Sequence, residues 1–116
     1  MCNISQMNNK QLDLLIENYN WDNGFKLPSA VTNNENCELA TALKVFYLAD
    51  GFSYLSDSTK PSIYLMDWYN FVSNLYNRLL EGIYCYGELH YSVPLTKVQI
   101  YRLKKANIPL VFLTDV

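Results

Sequence analysis

Apolar residues recur at helical spacing in two long stretches of this 116-residue chain. Within residues 36–51, Leu39, Ala42, Leu43, Phe46 and Tyr47 fall on one face at a 3.6-residue period. Val45 and Leu48 lie on the other side, and Glu38 and Lys44 are the only charges between Asn36 and Asp50. A helix apolar nearly all round is usually buried, so this segment is expected to be the central helix of the core. Asn36 suits its N-cap, because the side-chain oxygen can accept a first-turn N–H. Glu38 then sits where the helix dipole favours a carboxylate. Gly51 suits the left-handed conformation that closes a helix. Within residues 61–81, Leu65, Trp68, Tyr69, Val72, Leu75, Tyr76, Leu79 and Leu80 form a stripe. Asp67, Asn70, Ser73, Asn74, Asn77, Arg78 and Glu81 form the opposite face. Ser58 or Thr59 can cap this helix, Pro61 fits its first turn, and Gly82 reads as a stop.

The remaining pattern is weaker. Residues 1–8 look frayed. A first helix, capped by Asn8 or Asn9, runs to about residue 19, with Leu12, Leu15, Ile16 and Tyr19 on one face and Leu14 turned away. Asp22-Asn23-Gly24 is turn chemistry, flanked by Trp21 and Phe25 as core plugs. Pro28 can open a short helix over 29–32. Residues 51–60 read as a loop. Residues 83–93 alternate partly and suit either a short hairpin around Gly87 or an ordered loop, of which the loop is favoured. Thr96 and Gln99 match a capping box, which predicts a last helix over 97–106. Asn107 closes it, Pro109 prevents its continuation, and residues 110–113 form an apolar tail expected to pack on the body. The expectation is an all-α, single-domain fold over 1–116, with four main helices and a short one.

Half the residues are hydrophobic and 17% are charged, which is the balance of a folding sequence. Ten tyrosines suit both the periphery of a core and protein interfaces. The formal net charge of −2 is unevenly spread. Residues 1–96 hold five Lys/Arg against ten Asp/Glu, while residues 97–116 hold Lys97, Arg102, Lys104 and Lys105 against Asp115 alone. An acidic body argues against nucleic acid as the partner, and the basic last helix is accounted for by its dipole. There is no apolar leader and no window near the roughly 20 apolar residues that span a bilayer. Cys2, Cys37 and Cys85 are odd in number and widely spaced, so free thiols and a cytoplasmic location are expected.

Little of the sequence looks like catalytic machinery. His90 is the single histidine. Cys37 stands at the start of the central helix, where the dipole can lower a thiol pKa, so a Cys37–His90 dyad is the one enzymatic alternative. Its competitor is a small buried thiol and a loop histidine, and that reading is preferred. No C-x-x-C, H-x-x-x-H or Asp-rich loop predicts a metal, and the scattered glycines predict no phosphate cradle, so no cofactor is expected. Asp13, Glu17 and Asp22 read as a solvated face and a turn rather than paired catalytic carboxylates. Asp57, Asp67, Glu81 and Glu88, with Tyr84, Tyr86 and Tyr91, are candidates for an acidic, aromatic partner-binding patch.

Three motifs look familiar: N-W-D-x-G-F-x-L-P at 20–28, C-x-L-x-T-A-L at 37–43 and F-Y-x-A-D-G at 46–51. They resemble a bacterial domain-of-unknown-function family, numbered 4274. P-L-T-K-V-Q at 94–99 and I-P-L-V-F-L at 108–113 are similar to that family's end. The resemblance implies a compact helical domain with no assigned catalytic residue, of a kind associated with immunity proteins of bacterial toxin systems, contact-dependent growth inhibition among them. Trp21, Asp22, Gly24, Asp50 and Gly51 carry the motif, and as turn and cap residues they speak for fold more than for activity. The expected function is therefore a binding protein, not an enzyme, whose partner is a basic toxin, for which a nuclease with a basic cleft is the example. A homodimer through Leu14 and the apolar tail is the structural alternative.

Overall fold

The computed structural model describes residues 4–116; Cys2 and the start of the stretch 1–8 lie outside them. The rest of that stretch, expected to fray, instead forms a 3-10 turn at Ile4–Gln6, with Asn34 donating to Ile4 O at 2.7 Å and Asn36 to Met7 O at 3.0 Å. Six α-helices and no strand occur among the described residues: α1 (Asn9–Glu17), α2 (Lys26–Thr32), α3 (Leu39–Leu48), α4 (Gly51–Ser56), α5 (Met66–Glu81) and α6 (Lys97–Lys105). The all-α expectation holds, with one more helix than the pattern suggested.

The apolar face of α3 makes it the hub. Ala42, Leu43, Val45 and Phe46 are fully buried, and α3 packs against α1, α2, α4 and α5. Leu12 and Ile16 of α1, Val31 of α2, and Val72, Leu75 and Leu79 of α5 complete the centre. Each such side chain contributes about 1.5–3 kcal/mol on burial. Leu14 is exposed, as its position off the α1 stripe requires. The tail folds inward as expected: a 3-10 turn at Leu110–Phe112 buries Phe112 and Leu113.

Aromatic rings continue the core outward. Tyr69, Tyr54, Tyr76, Phe112, Phe46, Tyr47 and Tyr91 form an unbroken chain of ring contacts from the α5 surface through the core. A second chain runs Tyr19, Trp21, Phe25, Phe71. Buried ring polar atoms need partners, and main-chain carbonyls supply them. Tyr47 donates to Phe112 O, Tyr84 to Thr32 O at 2.8 Å, Tyr19 to Gly24 O at 2.6 Å and Trp68 Nε1 to Ala49 O at 2.7 Å.

Helix ends with local signals form where those signals sit. Asn8 and Gln11 make a reciprocal capping box on α1, and Thr96 and Gln99 make one on α6. Gly82 ends α5 at φ 72° and Asn107 follows α6 at φ 64°. Several boundaries differ from the pattern. α2 begins at Lys26, so Pro28 lies within its first turn instead of opening it. Residue 38, not Asn36, is the N-cap of α3, and its side chain does not cap. Instead the carbonyl of Cys85, far along the chain, accepts the N–H of Leu39 at 3.0 Å. At the other end Asp50, not Gly51, takes the left-handed conformation, at φ 62°. Gly51 opens α4, in what the pattern read as loop. Its missing side chain is needed for space, since a Cβ there would collide with the Phe46 ring and carbonyl. Finally, α5 starts at Met66 after a 3-10 turn at Ile63–Leu65, so Pro61 precedes the helix instead of opening it.

Residues 83–95 contain neither hairpin nor strand and form an ordered strap. Its anchors are polar. Besides Tyr84 and Cys85, the Leu89 N–H donates to Glu38 Oε1 at 3.0 Å, and Asn9 donates to the other Glu38 oxygen. Gly87 rests directly on that carboxylate, where a Cβ would not fit. Tyr91 and Val116 exchange two backbone hydrogen bonds of 2.8 and 3.1 Å, and the Val93 N–H donates to Asp115 at 2.8 Å. Backbone that gains no ladder partner is satisfied by side chains and the tail instead.

Candidate functional site

The seven residues expected to form an acidic, aromatic patch are dispersed. Asp67 and Glu81 occupy opposite ends of α5, fourteen positions and so roughly 21 Å apart. Asp57 follows α4, where its carboxylate accepts from the Thr59 N–H and hydroxyl. Those bonds hold its pKa below the usual carboxylate value. Glu88 lies on the strap beside α1, 2.9 Å from Asn9 Nδ2 and 3.7 Å from Lys10 Nζ. Tyr84 is buried, and desolvation pushes its hydroxyl pKa up to about 12. Tyr91 is half-buried against Tyr47. Of the three tyrosines, Tyr86 alone is strongly exposed, at 70%. Tyr84 turns inward to donate to Thr32 O and Tyr91 to stack on Tyr47, which sequence proximity alone did not disclose.

The Cys37–His90 arrangement does not assemble. Cys37 precedes the cap of α3 and is buried, and desolvation pushes its thiol up to about 12, opposite to the dipole effect expected. A thiol so placed is protonated at neutral pH and is a poor nucleophile. His90 is exposed on the strap. Asp13 is also not a merely solvated carboxylate. It accepts from the buried Thr41 hydroxyl at 2.7 Å and pairs with Lys44 at 2.9 Å, joining α1 to α3. Glu17, 3.7 Å from the same lysine, is the exposed member.

Two surface features remain. The first is a cleft of about 540 Å³ between α2 and α5. Phe25 and Phe71, stacked 5.0 Å apart, line it together with Leu75. Ser29, Asn33, Asn70 and Asn74 make its walls polar, and Lys26, Asp67 and Arg78 add charge. Arg78 lies 5.9 Å over the Tyr84 ring and donates to Asn33 Oδ1. The second is the 3-10 turn before α5. Ile63 is 80% exposed, Tyr64 92% and Leu65 52%, with Asp57 and Asp67 near on either side in the chain. Sequence periodicity had placed Leu65 in the buried stripe. The α-helix starts one residue later, and Leu65, in the 3-10 turn, stays half exposed.

Among the described residues no helix is long and apolar enough to cross a membrane, and no group of three His, Cys, Asp or Glu is placed to hold a metal ion.

The fold thus defines a small all-α protein with a helical hub and a polar strap. The chain belongs to the family described as Domain of unknown function (DUF4274), whose pattern matches residues 7–80. That match takes in the motifs at 20–28, 37–43 and 46–51 and adds α1. It stops before the segments at 94–99 and 108–113, which the resemblance had also included. No curated protein and no solved structure matches the chain.

Proposed function

We propose that this chain is a protein-binding module that performs no chemistry of its own, and that it serves as a cytoplasmic immunity protein occupying a cognate toxin domain. The observation that carries this reading is the exposed apolar turn Ile63-Tyr64-Leu65. Apolar side chains consecutive in sequence and open to water mark an interaction surface more than a monomer's ordinary exterior. Tyr64 is the natural anchor, because tyrosine buries a large ring at low entropic cost. Asp57 and Asp67 would border the contact with negative charge and speed the approach of a basic toxin. A nuclease, whose cleft must attract phosphate, is such a partner.

The test is a pull-down with the product of the reading frame directly upstream, followed by titration against its C-terminal domain. Tight one-to-one binding that Tyr64→Ala weakens by about 2 kcal/mol or more is expected. A neighbourhood that encodes no toxin, or a complex indifferent to Tyr64, would remove this reading.

A further inference from the structure

The cleft between α2 and α5 carries recognition chemistry independent of the exposed turn. Neither Lys26 nor Arg78 has a carboxylate within ion-pair distance among the described residues, where the ion pairs are Lys10–Glu88, Lys44–Asp13 and Lys44–Glu17. These two cations face a cleft whose lining holds one carboxylate, Asp67, eleven positions and so about 16 Å from Arg78 along α5. Arg78 is also held in place. Its guanidinium rests over Tyr84 and spends one donor on Asn33, and among the described residues its other donors are uncommitted. Such a fixed guanidinium binds a carboxylate with two parallel bonds. The side-chain amides of Asn70 and Asn74 lie exposed along the same α5 face. An amide both donates and accepts, and so matches a peptide group. The Phe25–Phe71 pair offers an apolar seat.

Spacing narrows the ligand. Phe71 and Arg78 are seven helical positions apart, about 10 Å along α5. Two residues of extended chain cover about 6.6 Å and place both side chains on one face. An arginine side chain is long enough to cover the remainder. We infer that this groove docks an extended internal segment of a partner protein, with an aromatic side chain on the Phe25–Phe71 pair and an acidic side chain two positions away on Arg78. The cleft is open to the surface, so a bound segment need not end there. The immunity reading is not required for this inference.

The probe is a short peptide of sequence Ser-Phe-Ser-Glu-Ser, capped at both ends, titrated into the isotope-labelled full chain and followed by amide chemical shifts. Shifts are expected in residues 25–33 and 67–78. Replacing the probe's Glu by Gln, or introducing Arg78→Gln, should weaken binding about tenfold, the scale of one charge-assisted bond. Arg78 also touches Asn33 and Tyr84, so Asn74→Glu is the companion variant. It places a like charge in the groove from an exposed position and, four positions before Arg78, competes with the probe for the guanidinium; it should weaken the probe about tenfold without lowering the thermal midpoint. Absence of shifts at millimolar probe would overturn the inference, as would shifts confined to residues 63–65. Equal shifts from acetate alone would reduce the site to a simple anion contact and overturn it too. Tighter binding of an uncapped peptide lacking Glu would assign the groove to a chain terminus instead, against the internal segment.

Discussion

At α6 the residues that begin and end the helix belong to it or border it. Thr96 and Gln99 satisfy each other's exposed backbone donors, and Asn107 takes the left-handed conformation two residues past Lys105. At α3 the corresponding tasks fall to distant parts of the chain. The first helical N–H is satisfied by Cys85, the carboxylate of Glu38 is turned to Leu89 and Asn9, and the Ala49 carbonyl near the last turn accepts from Trp68. A helix at the surface has only water and its own neighbours to close it. A helix at the centre is surrounded by other segments, and these supply its caps. The contrast separates ends that local substitutions govern from ends that tertiary contacts govern.

The largest expected effect tests the tertiary kind. Gly51→Ala inserts a methyl group against the Phe46 ring and carbonyl, and the carbonyl cannot move without shifting α3 itself. A loss of about 3 kcal/mol is expected, at the upper end of overpacking penalties. Urea denaturation measures it, and a loss below about 0.5 kcal/mol, the range of neutral surface changes, would show that the α3–α4 junction is not tight.

Glu38→Ala should cost somewhat less, about 2 kcal/mol, because the Leu89 N–H loses its acceptor in a partly buried setting. Its distinguishing sign is spatial. Amide exchange at Leu39 and Leu89 should accelerate together, since both bonds hold the strap over α3, while amides of α6 stay as they were. Uniform acceleration over the whole chain would mean that strap and hub open as one unit.

Thr96→Ala removes only a local cap, for about 1 kcal/mol. Faster exchange should be confined to the first turn of α6. Equal losses in Thr96→Ala and Glu38→Ala would erase the distinction between the two helices.

The same division explains what was legible beforehand. The α1 and α6 caps, the stop at Gly82, the buried face of α3 and the inward tail each depend on residues a few positions apart, and each was readable. The α3 boundaries were not, because Asn36 is a good cap in isolation while the strap that displaces it lies some fifty residues later. Gly51 was assigned to positive φ when its real constraint is Phe46, a contact that no spacing rule contains. The proposed patch suffered most. Charge and aromatic content identified its members, but Tyr84 answers to Thr32 and Glu88 to Asn9 and Lys10. The groove was missed because its two walls, α2 and α5, are more than thirty residues apart, and each alone reads as an ordinary polar helix face.

The smallest expected effect concerns the exposed edge of the strap. Asn9 first, and then Lys10, hold the Glu88 carboxyl below its ordinary value of 4.5. A carboxylate with a lowered folded pKa stabilises the fold above its unfolded value, and that contribution disappears as pH falls through the folded one. Glu88→Gln should therefore leave the unfolding midpoint slightly lower than wild type at neutral pH, with the two curves converging below about pH 4.5. Because the lysine contact is open to solvent, added salt should shrink the neutral-pH difference, and the part that survives belongs to the Asn9 bond. Parallel curves that never converge would place the difference in packing. Coincident curves at every pH would mean that the strap is held by Glu38, Tyr84 and the tail alone, which would extend to its outer edge the rule that buried contacts from distant segments, and not surface charges, fix this part of the fold.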